Sequence, residues 1–152
     1  MKKCLYLVLL LMVTLMAACS GDRSGDDAGG KTDKKANPAI AYWQSRNQHE
    51  VLLWEETDLD GDKELDTVFI YRVDKKQCQM AVISKSKEGF KVSQSSRAPL
   101  ENQTIKFKDI DEKLPVEIIV SGSKQGNYGY AILRLEGDVL IDLFAEGMED
   151  CC

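Results

Sequence analysis

The sequence predicts a mainly β protein: two divergent antiparallel β-meander repeats behind one short helix. Three observations carry that expectation. After Arg46 the apolar residues fall in short β-rich runs, Thr67 to Val73, Gln79 to Ser84 and Gly89 to Gln94, then Pro115 to Ser121, Tyr128 to Leu135 and Val139 to Phe144. Polar turns at Asp74-Lys75-Lys76, Ser86 to Gly89, Gly122 to Asn127 and Glu136-Gly137-Asp138 separate them, so that each set reads as a meander. The chain also matches itself, with Asp58-Leu59-Asp60 over Asp109-Ile110-Asp111 at an offset of 51 and Asp66 over Glu117 at the same offset. The later turns agree at an offset of 48, where Glu88-Gly89 meets Glu136-Gly137. Two such units are too few to close a ring, so they must pack on each other or share a sheet.

The chain has 152 residues, enough for one folded domain. Residues 1–18 read as a leader: Lys2 and Lys3 precede a fourteen-residue apolar run from Leu5 to Ala18, short for a membrane span and right for a secretory signal. The run ends Leu15-Met16-Ala17-Ala18-Cys19, which resembles a bacterial lipobox and implies a lipidated Cys19 at the mature N-terminus. Residues 19–37 hold Gly21, Gly25, Gly29 and Gly30 among polar residues and no large apolar side chain, so they read as a flexible tether spanning roughly 23 Å. Residues 38–144 are the β-repeat domain, opened by a helix from Pro38 to Arg46 with Pro at its first turn and Ile40 and Trp43 on one face. Residues 145–152 lack a periodic apolar pattern and read as a loose tail ending in Cys151-Cys152.

Composition excludes several functions. With 20 Lys and Arg against 25 Asp and Glu, and no basic run in the body of the chain, there is nothing to neutralise a phosphate backbone, which argues against nucleic acid. Losing the leader removes Lys2 and Lys3 but no acid, which leaves 18 positive against 25 negative charges and no grip on anionic lipid beyond the acyl anchor. One histidine, His49, cannot build a polyhistidine metal site, and no nucleophile, base and orienter set is visible, so the chain reads as a non-enzyme. His49 reads as a solvated polar residue, and Trp43 and Trp54 as core or edge cover.

The sharpest motif is the acidic loop Asp58-Leu59-Asp60-Gly61-Asp62-Lys63-Glu64-Leu65-Asp66. Carboxylates at positions 1, 3, 5 and 9 of a tight loop supply the several oxygen ligands that Ca²⁺ needs. It is no EF-hand, since Lys63 and Phe69 stand where Gly and a bidentate Glu are required. The loop resembles the DxDGDxxxD segment of FG-GAP-type β repeats. That resemblance implies calcium held by the Asp58, Asp60, Asp62 and Asp66 side chains and the Glu64 carbonyl. The second copy has Lys113 for Asp62 and Pro115 for Glu64, and is expected to be an empty structural loop.

With Cys4 removed and Cys19 acylated, Cys78, Cys151 and Cys152 remain, an odd number that cannot all pair. Cys78 reads as a small buried hydrophobe. Adjacent Cα atoms lie about 3.8 Å apart, below the usual disulfide range, so a Cys151–Cys152 bond would be strained. Two neighbouring thiols instead suit one soft cation. Glu149 and Asp150 should raise the thiol pKa values, against a nucleophilic role. Mercuric reductases are similar in ending with a vicinal Cys pair that passes Hg(II) inward. The layout, a lipobox at Cys19 and a Cys151-Cys152 ending, resembles the SaoC family, whose members end in Cys-Cys or Cys-selenocysteine. That resemblance implies a part in organometal uptake beside an ABC-type transporter, a thioredoxin-like partner and an organomercurial-lyase-like enzyme. The expected function is then a lipid-anchored extracytoplasmic protein that captures a soft metal or organomercurial through Cys151 and Cys152. The alternative is a calcium-stiffened binding or adhesion module with an incidental Cys tail.

Overall fold

A computed structural model describes residues 36–152. The leader, Cys19 and the tether as far as Lys35 lie outside the described residues. A helix, α1 (Pro38–Gln44), precedes nine strands: β1 (Glu50–Thr57), β2 (Asp66–Asp74), β3 (Gln77–Ser86), β4 (Gly89–Val92), β5 (Ser96–Ala98), β6 (Glu101–Lys108), β7 (Glu117–Lys124), β8 (Asn127–Glu136) and β9 (Val139–Glu146). A one-turn helix, α2 (Met148–Cys151), closes the chain where a loose tail was expected. The strands form two antiparallel sheets: β1-β2-β3-β4, with β5 also pairing β3, and β6-β7-β8-β9.

The two meanders are thus real, and each has a first strand that the sequence pattern concealed. β1 and β6 occupy Glu50–Thr57 and Glu101–Lys108, again 51 residues apart. From the third strand of each repeat the offset becomes 50, not the 48 read from the turns. Arg72 pairs Cys78 in the first repeat and Ser123 pairs Tyr128 in the second. The lost residue is Val73, bulged out between Arg72 and Asp74 in the first repeat, where the second runs straight from Ser123 to Lys124.

The sheets stack in the same sense. Val68, Ile70, Cys78, Met80 and Val82 of the first sheet meet Ile105, Ile118, Val120, Ala131 and Leu133 of the second in one core. The opposite face of the first sheet, Phe69, Tyr71, Ala81 and Ile83, is covered by Ala39, Ile40 and Trp43 of α1. At the repeat offset Val120 and Ala131 correspond to Phe69 and Ala81. Each repeat therefore turns the same face toward the element before it: the helix for the first, the first sheet for the second. The last face has no successor, and Tyr128, Ile141 and Phe144 stand exposed on it.

Asn37, expected at the end of the tether, belongs to the domain. It is buried and caps α1, its Oδ1 accepting the Ala39 and Ile40 N–H groups at 2.8 and 3.1 Å, while its Nδ2 donates to Thr67 Oγ1 at 3.3 Å. Trp43 is core, packed edge-on against Phe69 at 4.9 Å between centroids, and exposed His49 lies against Tyr71 at 5.6 Å. Among the described residues no helix is long and apolar enough to cross a membrane.

Candidate metal centres

The first acidic loop connects β1 to β2 and is wound by its own carboxylates. Asp58 accepts the N–H groups of Gly61 at 2.7 Å and Lys63 at 2.9 Å, Asp60 accepts from Asp62 at 3.1 Å, and Asp62 accepts from Glu64 at 2.8 Å. Gly61 (φ 81°) makes the turn in the left-handed region that glycine enters without strain, while Lys63 (φ 71°) adopts it as a non-glycine residue. Leu59 points inward and is fully buried, and its N–H donates to Asp66 Oδ2 at 3.0 Å.

This winding brings carboxylate oxygens of Asp58, Asp60 and Asp66 within 4.8 Å of one another, a group able to hold a metal ion. Asp62 stands outside that group, its Oδ1 used by the Glu64 N–H. The Glu64 side chain is drawn away to Lys85 Nζ at 2.6 Å, leaving only its carbonyl for the role the FG-GAP likeness implies. Burial pushes the Asp66 carboxyl above its ordinary pKa; Ser84 and the Leu59 N–H pull it down less than burial, Asp60 and Asp62 together push it up. Each of the three carboxylates in the group keeps acceptor capacity beyond the bonds named, so the donor set fits a hard cation.

The second loop, expected to be an empty structural loop, repeats the geometry of the first. Asp109, Asp111 and Glu117 form an equivalent group, and Ile110 N–H donates to Glu117 Oε2 at 2.9 Å, as Leu59 does to Asp66. Here a cation is already present. Arg134 Nη2 donates to Asp111 Oδ2 at 2.8 Å and to Glu117 Oε1. At the repeat offset of 50 Arg134 corresponds to Ser84. Although burial pushes the Glu117 carboxyl up, Arg134 and the Ile110 N–H pull it below its usual range overall. Asp111 is lowered too, first by the Arg134 hydrogen bond.

The third cluster lies at the other end of the second sheet. Gly147 starts α2 with φ 67°, and a Cβ on it would come within 2.6 Å of the Tyr128 carbonyl. Gly129 makes the matching room on β8: a Cβ there would meet Gly147 O at 2.5 Å and Cys151 Sγ at 2.8 Å. Into that space Cys151 goes completely, with 0% exposure, its carbonyl accepting the Leu100 N–H at 3.2 Å. Cys152 is partly exposed, and Lys124 Nζ donates to its carbonyl at 3.2 Å. The expected free tail fails because two glycines let the chain close onto β8.

Cys151 and Cys152 are free thiols with sulfurs 3.4 Å apart. The Met148 thioether lies 3.6 Å from Cys151 Sγ and 4.0 Å from Cys152 Sγ. Cys152 lines a cavity of about 340 Å³ with Arg97, Asp142, Met148 and Glu149, and a second of about 210 Å³ with Cys78 and Arg97. Its thiol is pushed up to about 12, by burial first and then by the Cys151 sulfur, while Arg97 and Lys124 pull it down. Burial, not the acids of the tail, is the main cause. Cys78 is buried and its thiol also raised by burial, in keeping with a core residue.

Sequence reasoning missed Met148, Gly129 and Arg134. The spacing Met148-x-x-Cys151-Cys152 was the available signal, since residues at i, i+3 and i+4 share a helical face. Comparison with protein-family profiles, with curated proteins and with solved structures finds no match.

Proposed function

We propose that the protein captures a soft metal ion or organomercurial at Cys151 and Cys152 and hands it to a membrane transporter. In this reading Cys19 anchors it outside the cytoplasm, with thioredoxin-like and lyase partners nearby. The observation that carries it is two free sulfurs 3.4 Å apart, of which Cys152 lines a cavity and Cys151 is buried behind it. Cys152, partly exposed, meets the ion first; buried Cys151 then closes on it from the α2 side. Both thiols give up their protons as metal–sulfur bonds form, which a metal accomplishes even where burial holds the thiol neutral. Release starts from the same exposed side, an incoming thiolate replacing Cys152 before Cys151. The role is non-catalytic: a thiol held up near 12 is a poor nucleophile at neutral pH.

Calcium at Asp58, Asp60 and Asp66, with Asp62 and the Glu64 carbonyl completing the shell, would stiffen the first repeat. When bound, it supplies positive charge beside Asp66 and nothing more. The loop also touches the second repeat, since Val116 N–H donates to the Leu59 carbonyl at 2.8 Å. Loop order therefore bears on how the sheets meet.

Titration of reduced protein with Hg²⁺, followed by thiolate-to-mercury absorbance, tests the capture site. Tight near one-to-one binding is expected in wild type and Cys78→Ala and lost in Cys151→Ser/Cys152→Ser. Unchanged affinity in the double variant would move the site elsewhere.

A further inference from the structure

Resting on the capture site just proposed, we infer that Met148 is its third ligand, so that α2 presents a three-sulfur seat for an inorganic d¹⁰ ion such as Cu(I). The three sulfurs form a closed triangle with edges of 3.4, 3.6 and 4.0 Å. An ion bound at about 2.3 Å in the plane of three sulfurs needs edges of about 4.0 Å, whereas a linear two-thiolate ion needs its sulfurs about 4.6 Å apart. The triangle reaches the first arrangement by opening its shortest edge, 3.4 Å, by about 0.6 Å. The Cys pair alone reaches the second only by separating more than an ångström, on neighbouring residues whose Cα atoms stay about 3.8 Å apart.

Thiolate together with thioether is the donor set that selects Cu(I). An alkylmercury cation already holds one strong carbon ligand and has little use for a thioether, so the third sulfur separates the inorganic ion from the organometal. Charge agrees. Two thiolates and one monovalent ion leave one negative charge on the cluster, and Arg97 and Lys124 are the cations that act on Cys152, in a cavity that Asp142 and Glu149 also line. Two protons leave the thiols for each ion bound, and no oxidation state changes.

Met148 is also partly buried against the core, so a packing role must be separated from a ligand role. Met148→Leu does this, keeping volume and apolarity while removing sulfur. The experiment is X-ray absorption on reduced protein loaded with one equivalent of Cu(I), with affinity from competition against a chromophoric Cu(I) chelator. Three sulfur neighbours are expected in wild type and two in Met148→Leu, with affinity falling roughly tenfold or more and thermal stability unchanged. Two sulfurs in wild type, or equal affinities, would overturn the third-ligand assignment while leaving the Cys pair in place. Undiminished Cu(I) binding by Cys151→Ser/Cys152→Ser would instead overturn the capture site and the inference with it.

Discussion

In the first repeat Asp66 opens β2 with the Leu59 N–H on one oxygen and Ser84 beside it; in the second, Glu117 opens β7 with the Ile110 N–H on one oxygen and Arg134 in the place of Ser84. The two surroundings share the loop N–H and two neighbouring carboxylates but differ at Ser84 and Arg134 and at Asp62 and Lys113, and the carboxyls move in opposite directions, Asp66 up and Glu117 down. A buried carboxylate needs a positive partner. The second repeat carries that partner in its own chain as Arg134, while the first carries the Asp58, Asp60 and Asp66 carboxylates, a group able to hold a metal ion. The environments agree with this division. Leu59 is fully buried and its carbonyl accepts the Val116 N–H of the second repeat, whereas its counterpart Ile110 is 47% exposed, with no further repeat to cover it.

Exchanging the residues at Ser84 and Arg134 should break the comparison. Arg134→Ser removes the cation from Glu117, which is 1% exposed, and should lower Tm by roughly 15 °C at neutral pH, the largest effect expected here. Added Ca²⁺ should then recover part of the loss through Asp109, Asp111 and Glu117. No recovery would mean that the two loops share a shape but not a capacity. In the opposite direction, calcium at 100 times its dissociation constant should stabilise the wild type by about 2.7 kcal/mol. Ser84→Arg should abolish that response by supplying the guanidinium internally, and Asp60→Ala by removing a ligand. Thermal melts with and without Ca²⁺ measure both.

The smallest effect is a pH slope of opposite sign in the two repeats. Asp66 has a folded pKa above its ordinary 3.8, so in calcium-free protein its destabilisation is complete above the folded pKa and fades as pH falls through it. Glu117 lies below its ordinary 4.5, so its contribution is present above that value and is lost as pH falls toward the folded pKa. On acidification the wild type should therefore gain stability relative to Asp66→Asn and lose its advantage over Glu117→Gln. Parallel curves for the two variants would contradict the assigned directions.

The repeat was legible in the sequence because its loops carry the same carboxylates at the same spacing. Its first strands were not, for physical reasons. In β1 Val51-Leu52-Leu53-Trp54 are apolar in succession, and a bulge between Val51 and Leu53 breaks the alternation. β6 is an edge strand whose Glu101, Asn102, Lys106 and Lys108 face solvent, so it reads as loop. The offset of 51 marked both. The tail was misread because a single turn is too short to show a period. What seats it lies elsewhere in the chain, at Gly129 and Leu100. Arg134 was hidden because a charge on a half-buried strand has no local signature; only its register opposite Glu117 reveals its use.

The proposed function assigns hard and soft ions to separate places in this fold, oxygen donors of the first repeat and sulfur donors against the second. Native mass spectrometry of the reduced protein offered Ca²⁺ and Hg²⁺ together measures that separation directly. One ion of each is expected on the same molecule, with only calcium lost in Asp60→Ala and only mercury lost in Cys151→Ser/Cys152→Ser. Displacement of one ion by the other, or mercury retained by the double variant, would contradict it.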